Sequence, residues 1–256
     1  MPTNYSQLIE IFQKNILGKR VPLDGHDGFI GHWIERQFGV SANGECDADW
    51  NGFELKTGKA KTSFGDWSAD HYLWKEDTSF SGTNREKRDS FLGSFGAAVR
   101  ADRPGRFSWS GKAFPKVGQR TLGGQIMSVN DNMDIEINYD FSLDRRHNRG
   151  ILVPRPLQRD GVVLARWTNN SSPKSLKNRV EKKFGQRGWV KLVQNRSRIF
   201  VEMQIGPPIT FSDWIADVKA GAIFLDSGMY QGNSRPYQNW RADNKYWLSK
   251  AHTILN

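Results

Sequence analysis

The spacing of hydrophobic residues changes from helical to strand-like early in the chain. Residues 4–16 predict an amphipathic helix, because their apolar side chains recur at helical spacing. These side chains are Leu8, Ile9, Phe12 and Ile16. The segment FIGHWIERQFG predicts a second helix, with Gly39 as its C-terminal stop. The next apolar segment, FELK, alternates instead and predicts a short strand with Phe53 and Leu55 on one face.

Strands and helices continue to alternate in the rest of the chain. Strands are predicted for DIEINYD, VVLARW, RIFVEMQI and AIFLDSG, and helices for SSPKSLKNRVEKKFG and TFSDWIADVKAG. Residues 59–80 predict further strand with a turn at Gly65-Asp66. After them, NREKRDS is expected as a polar segment that leads into an apolar patch, FLGSFGAAV. This order predicts an α/β or α+β fold with a central mixed β-sheet flanked by helices.

The charge of the chain indicates the kind of partner. Its 256 residues carry a formal net charge of +10, and the pI is about 9.7. Nucleic acid and an acidic membrane surface are both compatible with that charge. No apolar run approaches the roughly 18 residues needed to span a bilayer. The N-terminal segment MPTNYSQLIEIFQKN is amphipathic rather than signal-like, so we expect a cytoplasmic location without membrane association.

Cysteine and histidine content argues against several kinds of site. The single cysteine, Cys46, excludes an intramolecular disulfide and a cysteine-rich zinc site, and a small semi-buried role fits it better than that of a nucleophile. The five histidines form no HExxH pair, and no P-loop or GxGxxG turn indicates a nucleotide cofactor. His71 and His147 could be catalytic bases or DNA contacts, but neither has a partner at an informative spacing.

The segment DWNGFELKT combines side chains that can hydrolyse a phosphodiester. Glu54 and Lys56 project from the same face of the predicted strand, and Asp49 precedes the turn at Asn51-Gly52. Two carboxylates can hold a hard divalent cation, with Mg²⁺ the expected ion. An ammonium group beside them can orient an attacking water and offset charge on a phosphate. The alternative is an edge strand with a surface salt bridge, worth only about 0–1 kcal/mol.

Amide and guanidinium side chains are concentrated near the C-terminus. Lysine and arginine neutralise phosphates, whereas asparagine, glutamine and arginine can also read base edges in a DNA groove. The alternative is an ordinary solvated surface, but the density of amides favours a recognition role. The residues in question are Asn233, Arg235, Gln238, Asn239, Arg241, Asn244 and Lys245.

These segments resemble the MvaI/BcnI-type restriction endonucleases of the PD-(D/E)xK nuclease superfamily, which includes MutH. The resemblance lies in DGFIGHWIERQFGV and DWNGFELKTGKAKT. It extends more weakly through FLGSFG, GKAFPKVGQRTLGGQ and EINYDFSLD to FSDWIADVKAGAIFLDSGMY and the basic tail. It implies a restriction-endonuclease-like core in a single nuclease domain over residues 1–256. Within it, residues 1–100 would be mainly a catalytic lobe and residues 101–256 mainly a DNA-recognition lobe with additional core elements.

The resemblance also implies roles for individual residues. Asp49 and Glu54 correspond to metal ligands, joined in the metal site by Leu55, while Lys56 corresponds to the third catalytic residue and Glu35 to a supporting acidic residue. The predicted DNA contacts are Lys59, Lys61, Arg235, Tyr237, Asn239, Arg241, Asn244 and Lys245. The implied enzyme depends on Mg²⁺, with Mn²⁺ as a substitute, and acts as a monomer that nicks each strand in turn at a CC/GG-containing site. BcnI-like members carry histidines that read the centre of the site, whereas this chain has Asn244 at the corresponding position, so the resemblance does not fix the central base pair.

Three functions are compatible with these observations. The first is a prokaryotic or phage-encoded type II restriction endonuclease acting on double-stranded DNA, with a cognate DNA methyltransferase as its genetic partner. The second is a MutH-like enzyme that nicks one strand in mismatch repair, and the third is a catalytically silent DNA-binding protein on the same scaffold. The presence of Asp49, Glu54 and Lys56 argues against the third function. The dense C-terminal set of recognition side chains favours the first over the second.

Overall fold

The computed structural model describes residues 3–21, 28–40, 47–58, 60–98, 104–111 and 114–256, which form two compact units. The first unit consists of Met1–Ser63, Lys177–Trp214 and Ala242–Asn256, and the second of Phe64–Leu176 and Ile215–Arg241. This division follows compactness and does not test the functional lobes expected over residues 1–100 and 101–256, which stay a prediction. None of the described helices is long and apolar enough to cross a membrane.

Short helices and strands alternate along the chain. The described helices are α1 (Thr3–Ile11), α2 (Phe29–Gln37), α3 (Leu73–Glu76), α4 (Asn84–Phe95), α5 (Arg149–Leu152), α6 (Leu176–Phe184), α7 (Phe211–Lys219) and α8 (Asn244–Lys250). A π-helical segment, Phe12–Ile16, continues α1, and a 3-10 turn covers Arg155–Leu157. The strands are β1 (Phe53–Thr57), β2 (Lys61–Asp66), β3 (His71–Tyr72), β4 (Ser108–Ser110), β5 (Gly123–Val129), β6 (Ile135–Asp144), β7 (Val162–Trp167), β8 (Gly188–Gln194), β9 (Phe200–Gly206), β10 (Ile223–Tyr230), β11 (Gln238–Asp243) and β12 (Thr253–Leu255).

The first unit is built on a mixed four-stranded sheet in the order β1-β8-β9-β12. Strand β1 runs parallel to β8, whereas β9 is antiparallel to both β8 and β12. Because β1 is at the edge of this sheet, its only hydrogen-bonded neighbour in the described sheet is β8. The expected mixed sheet and the strand predicted over FELK are both confirmed.

Helices of the first unit bury apolar stripes in the core of that unit. The predicted helix over residues 4–16 is present as α1 and its π-helical continuation, and Leu8, Phe12 and Ile16 are all buried. The helix α2 buries Ile34, and the chain leaves it through Gly39 at φ +71°, in the left-handed region that favours glycine. These helix side chains pack in one hydrophobic core with the apolar side chains of the sheet. The sheet contributes Phe53, Leu55, Val190, Leu192, Phe200, Met203 and Ile205. The two predicted N-terminal helices are therefore confirmed.

Two further sheets lie mainly in the second unit. One has the order β3-β7-β6-β5 with antiparallel neighbours throughout, and the other has the order β2-β11-β10-β4. The predicted strands DIEINYD, VVLARW and AIFLDSG correspond to β6, β7 and β10. An aromatic cluster packs in this unit, with Phe91 edge-on to Trp109 at 5.2 Å and Phe95 edge-on to Tyr139 at 5.0 Å between ring centroids.

The expected turn at Gly65-Asp66 is wrong. Strand β2 continues through Asp66, and the chain bends only after it. Gly65 is required for packing instead, because a Cβ at this position would lie 2.3 Å from the ring of Trp67. The polar segment NREKRDS, for which no element was predicted, forms the first part of α4.

A lysine is buried in the sheet of the first unit. Lys191 lies on β8, in register with Lys56 of β1 and Gln204 of β9, and only 1% of its surface is exposed. Burial lowers the pKa of the Lys191 ammonium, against the opposing charge of Glu202. The positive charge of Lys191 therefore lowers the stability of the folded state, because the ammonium group is buried there and solvated in the unfolded chain.

Substitution of Gly206 tests the packing of this sheet. A Cβ at this position would lie 2.0 Å from the indole of Trp189, which is fully buried beside Glu54 in the sheet register. We expect Gly206→Ala to lower the free energy of unfolding by about 1–3 kcal/mol or more, measured by urea denaturation. The control is Gly31→Ala in α2, where a Cβ meets nothing within 4 Å and the helix should gain about 0.5–1 kcal/mol. Equal stability of the two variants would contradict this account.

Substitution of Lys191 tests the cost of its buried charge. At a pH where the folded and the unfolded chain both hold the proton, Lys191→Met should stabilise the protein by about 1–2 kcal/mol. As the pH rises towards the ordinary lysine value of 10.5, the folded protein releases its proton first and the cost disappears. The advantage of the variant should therefore shrink with rising pH in urea denaturation series. Lys177→Met, at an exposed lysine, should show no such trend, and an advantage of Lys191→Met that grows with pH would contradict the assignment.

Candidate active site

A tight turn brings Asp49 against strand β1. Asn51 and Gly52 both have positive φ, at 44° and 82°, as in a type I′ turn, and Trp50 pairs with Phe53 across them. The Asp49 Oδ2 atom accepts a hydrogen bond from the Leu55 backbone N–H at 2.9 Å. The turn also lies close to Gln186, between α6 and β8, because a Cβ on Gly52 would lie 2.9 Å from the side chain of Gln186. The predicted turn is confirmed, and it fixes the carboxylate of Asp49 beside the strand.

The carboxylate of Glu54 is buried between two ammonium groups. Only 1% of Glu54 is exposed, and its Oε1 accepts hydrogen bonds from Lys56 Nζ at 2.6 Å and Lys183 Nζ at 3.0 Å. The side chains of Lys56 and Lys183 are 13% and 16% exposed. The alternative of a surface salt bridge is therefore wrong: β1 is an edge strand, but its charged face is buried. Such a carboxylate is stable only while its counter-charges stay in place.

Lys183 was not expected from the sequence. It lies at the end of α6, in a segment that predicts only a helix, and 129 positions separate it from Glu54. Its neighbour Phe184 lies under the Lys56 ammonium, with 5.3 Å between Nζ and the ring centroid. No local motif could have found this contact, because it depends on how α6 packs against β1.

Asp49 and Glu54 are close enough to influence each other electrostatically. Burial raises the pKa of the Asp49 carboxyl, and the charge of Glu54 raises it further. Lys56, Lys183 and the Leu55 N–H oppose this rise but do not cancel it. Two acidic groups held together at this cost are typical of a site that receives a cation.

The donor atoms fit a divalent metal ion with oxygen ligands. Glu54 Oε2 is buried and has no hydrogen-bond partner among the described residues. An unsatisfied carboxylate oxygen next to a second carboxylate is the kind of ligand that Mg²⁺ prefers. The described residues contain no group of three or more His, Cys, Asp or Glu placed to hold a metal. Of Leu55, whose side chain is apolar, only the carbonyl oxygen could serve as a ligand.

Glu35 lies on α2, away from the contacts of this cluster. Its carboxylate pairs with His32 Nδ1 at 3.1 Å and is 24% exposed. Within the described part of the chain, no hydrogen bond or ion pair joins it to Asp49, Glu54 or Lys56. A supporting role of Glu35 therefore stays a prediction.

The predicted DNA contacts of the first unit are at the surface or partly exposed. Lys59 lies outside the described residues, as does Cys46. Lys61 begins β2 and is exposed, and Lys245 is exposed in the first turn of α8. Asn244 is partly exposed, and its backbone N–H donates to the carbonyl of Ala60 at 3.2 Å.

The predicted DNA contacts of the second unit lie on β11 and the turn before it. Arg235 is exposed, and the ring of Tyr237 lies against Gly228 with 41% of the residue exposed. Asn239 and Arg241 alternate on the less buried face of β11, and Arg241 pairs with Asp226 at 3.1 Å. These four side chains are accessible to a partner.

Two amides of the C-terminal segment are too buried to read base edges. Gln238 is 1% exposed and Asn233 is 9% exposed. Asn233 instead closes the turn after β10, where its Nδ2 donates to the Gly228 carbonyl at 2.8 Å. His71 pairs with Glu76 at 2.9 Å on the surface of the same unit, and His147 is exposed. The segment therefore contains fewer recognition side chains than its composition indicates.

The chain is similar to known proteins over nearly its whole length. The family model of the LlaMI restriction endonuclease matches residues 15–253. The type II restriction enzyme ScrFI of Lactococcus lactis subsp. cremoris is 43% identical over 97% of this chain and 97% of its own length. A solved structure, the restriction endonuclease MvaI in complex with cognate DNA substrate, aligns over 100% of this chain and 98% of its own with a TM-score of 0.59 and 12% identity. The restriction-endonuclease-like fold is thus confirmed, as is the resemblance from which it was expected.

The family model and the ScrFI relative, each matching nearly the whole chain, exclude the catalytically silent alternative. Enzymes of this class generally use a divalent metal ion. The chain belongs to the LlaMI restriction endonuclease family and is, as a type II restriction endonuclease, a site-specific deoxyribonuclease.

Proposed function

We propose that the buried pair of Asp49 and Glu54 is the active site with which this enzyme hydrolyses double-stranded DNA in a Mg²⁺-dependent reaction, with Mn²⁺ as a substitute ion. The observation that supports this most directly is the buried, unpartnered Oε2 of Glu54 beside a second carboxylate. We further propose a short CC/GG-containing recognition site, cut by a monomer that nicks each strand in turn. These finer points follow the resemblance to MvaI/BcnI-type enzymes.

Each residue of the cluster has a separate task in this proposal. Asp49 and Glu54 hold the cation, together with the carbonyl oxygen of Leu55, and Glu35 supports the site from α2. When bound, a divalent cation supplies Lewis acidity that stabilises negative charge at the phosphorus. Lys56 orients the attacking water through its ammonium group and offsets charge on the phosphate.

The proposed reaction is a displacement at phosphorus. The oxygen of water forms a new bond to phosphorus, the bond from phosphorus to the 3′ oxygen breaks, and a proton passes to the leaving oxygen. The products are a 5′-phosphate and a 3′-hydroxyl end. Lys56 can support this step because its Nζ is fixed by Glu54 and by the ring of Phe184.

Recognition is proposed for the exposed residues of the basic segments. Lys59, Lys61 and Lys245 carry charges that suit backbone phosphates, while Arg235, Tyr237, Asn239, Arg241 and Asn244 offer groups that suit base edges. A net charge of +10 favours association with DNA in general. In the cell we expect a cytoplasmic enzyme of a prokaryote or phage, paired with a methyltransferase that protects the host sites.

Removal of the Glu54 carboxylate tests the site. We expect Glu54→Gln to lower cleavage of unmethylated plasmid by at least about 100-fold, because the metal loses an anionic ligand. The control is Lys182→Gln, since Lys182 is half exposed and its ion pair among the described residues is a long one, 3.7 Å from Asp47. Run-off sequencing of the wild-type products reports the site, the cut position and the number of strands cut. Undiminished cleavage by Glu54→Gln would exclude this site, and nicked circles that never become linear would exclude cleavage of both strands.

Displacement of Tyr237 tests the proposed recognition surface. A Cβ on Gly228 would lie 2.1 Å from the Tyr237 ring, so Gly228→Ala must move the ring. We expect a loss of specific DNA binding of roughly tenfold, equivalent to one contact of about 1–3 kcal/mol. Fluorescence anisotropy with a duplex that carries the mapped site measures it, and Tyr237→Ala should show a similar loss. Gly93→Ala in α4, where a Cβ meets only Gln231 at 3.7 Å, should bind as wild type, and wild-type binding by Gly228→Ala as well would exclude this role.

A further inference from the structure

The Glu54 carboxylate is paired with one more ammonium group than the proposed reaction needs. Lys56 alone could orient water, yet Lys183 also donates to the same oxygen of Glu54, at 3.0 Å. Both ammonium groups bind Oε1, and Oε2 has no partner among the described residues. The two lysines therefore occupy Oε1 of Glu54 and leave Oε2 available.

The neighbouring helix position shows that this contact is specific to Lys183. Lys182 points to solvent with half of its side chain exposed and approaches Asp47 only at 3.7 Å. The side chain of Lys183 is 16% exposed and ends on a carboxylate that is 1% exposed. An ion pair with a buried partner is held far more firmly than one in water.

The formal charges of Asp49, Glu54, Lys56 and Lys183 sum to zero when both carboxyl groups are ionised. The two carboxylates then contribute two negative charges, and the two ammonium groups paired with Glu54 contribute two positive charges. A divalent cation entering this cluster meets two carboxylates but also two ammonium groups. Its net attraction is weak until a phosphate contributes further negative charge.

We propose that Lys183 is a positioning residue that holds Glu54 Oε1, leaves Oε2 for the metal, and makes firm metal binding depend on the presence of the DNA phosphate. This rests on the proposed function, because it takes Asp49 and Glu54 as the metal ligands. Lys56 lies on the same strand as Glu54 and remains beside it when Lys183 is removed. Loss of Lys183 therefore changes the charge of the site from zero to minus one while its ligands stay present.

The test is calorimetric titration of MnCl₂ into the DNA-free protein, combined with steady-state cleavage. We expect Lys183→Gln to bind Mn²⁺ about tenfold or more tightly than wild type, because one repelling charge is gone. Its kcat should nevertheless fall by about 10-fold or more, while the KM for DNA stays within about threefold, since Lys183 acts through Glu54. Lys183→Arg keeps the charge and should retain wild-type Mn²⁺ affinity, and Lys182→Gln should match wild type in both measurements.

A purely structural lysine would give a different result. Mn²⁺ affinity of Lys183→Gln equal to or weaker than that of wild type would overturn the proposal, as would a loss confined to KM. Thermal unfolding checks that the variant is folded, and Lys183→Met, which keeps the aliphatic stem, carries the same expectation if the glutamine variant does not fold. The Glu54→Gln variant distinguishes a failure of the proposed active site from a failure of the role proposed for Lys183. If that variant still binds Mn²⁺ and cleaves DNA, the proposed active site itself is wrong, whereas loss of both with an unaltered Lys183→Gln rejects the role of Lys183 alone.

Discussion

The buried carboxylate of Glu54 sets the main constraint on this molecule. An ionised group with 1% exposure requires compensation, and it receives two ammonium groups at 2.6 and 3.0 Å. One comes from the same strand and the other from α6. The first unit must therefore bring a strand from early in the chain together with a helix from much later, because neither element alone can keep this charge in the interior.

That requirement explains the layout of the chain. The first unit is assembled from three separate stretches, and the second unit occupies the intervals between them. Strand β1 and strand β8 pair in parallel although more than a hundred residues separate them, as the register Glu54 to Trp189 shows. The hydrophobic core of the first unit contains residues from the stretch with β1 and from the stretch with β8. Strand pairing and core packing thus supply the geometry that the two lysines need.

The sequence pattern predicted the local features of the fold and the site, but not the contacts between residues distant in the chain. The type I′ turn at Asn51-Gly52 and the alternation of FELK are local features, so they were readable directly. Helix α4 was also readable, through the capping box of Thr83 and Glu86, but the polar composition of its first half concealed it. Lys183 and the packing role of Gly65 depend on tertiary neighbours, and no periodicity encodes those.

The turn between Asp49 and Glu54 has a consequence for how this enzyme can diverge. Gly52 contacts Gln186, and the Arg187 N–H donates to the Gly52 carbonyl at 3.0 Å, so the turn is fixed at the point where α6 passes into β8. An inserted or deleted residue in this turn would shift Asp49 relative to Glu54 and separate the turn from α6. Length variation should therefore accumulate among homologues within residues 64–176, while the five-residue step from Asp49 to Glu54 stays constant. In that way the stretch 64–176 can change in length without altering the position of Asp49 relative to Glu54.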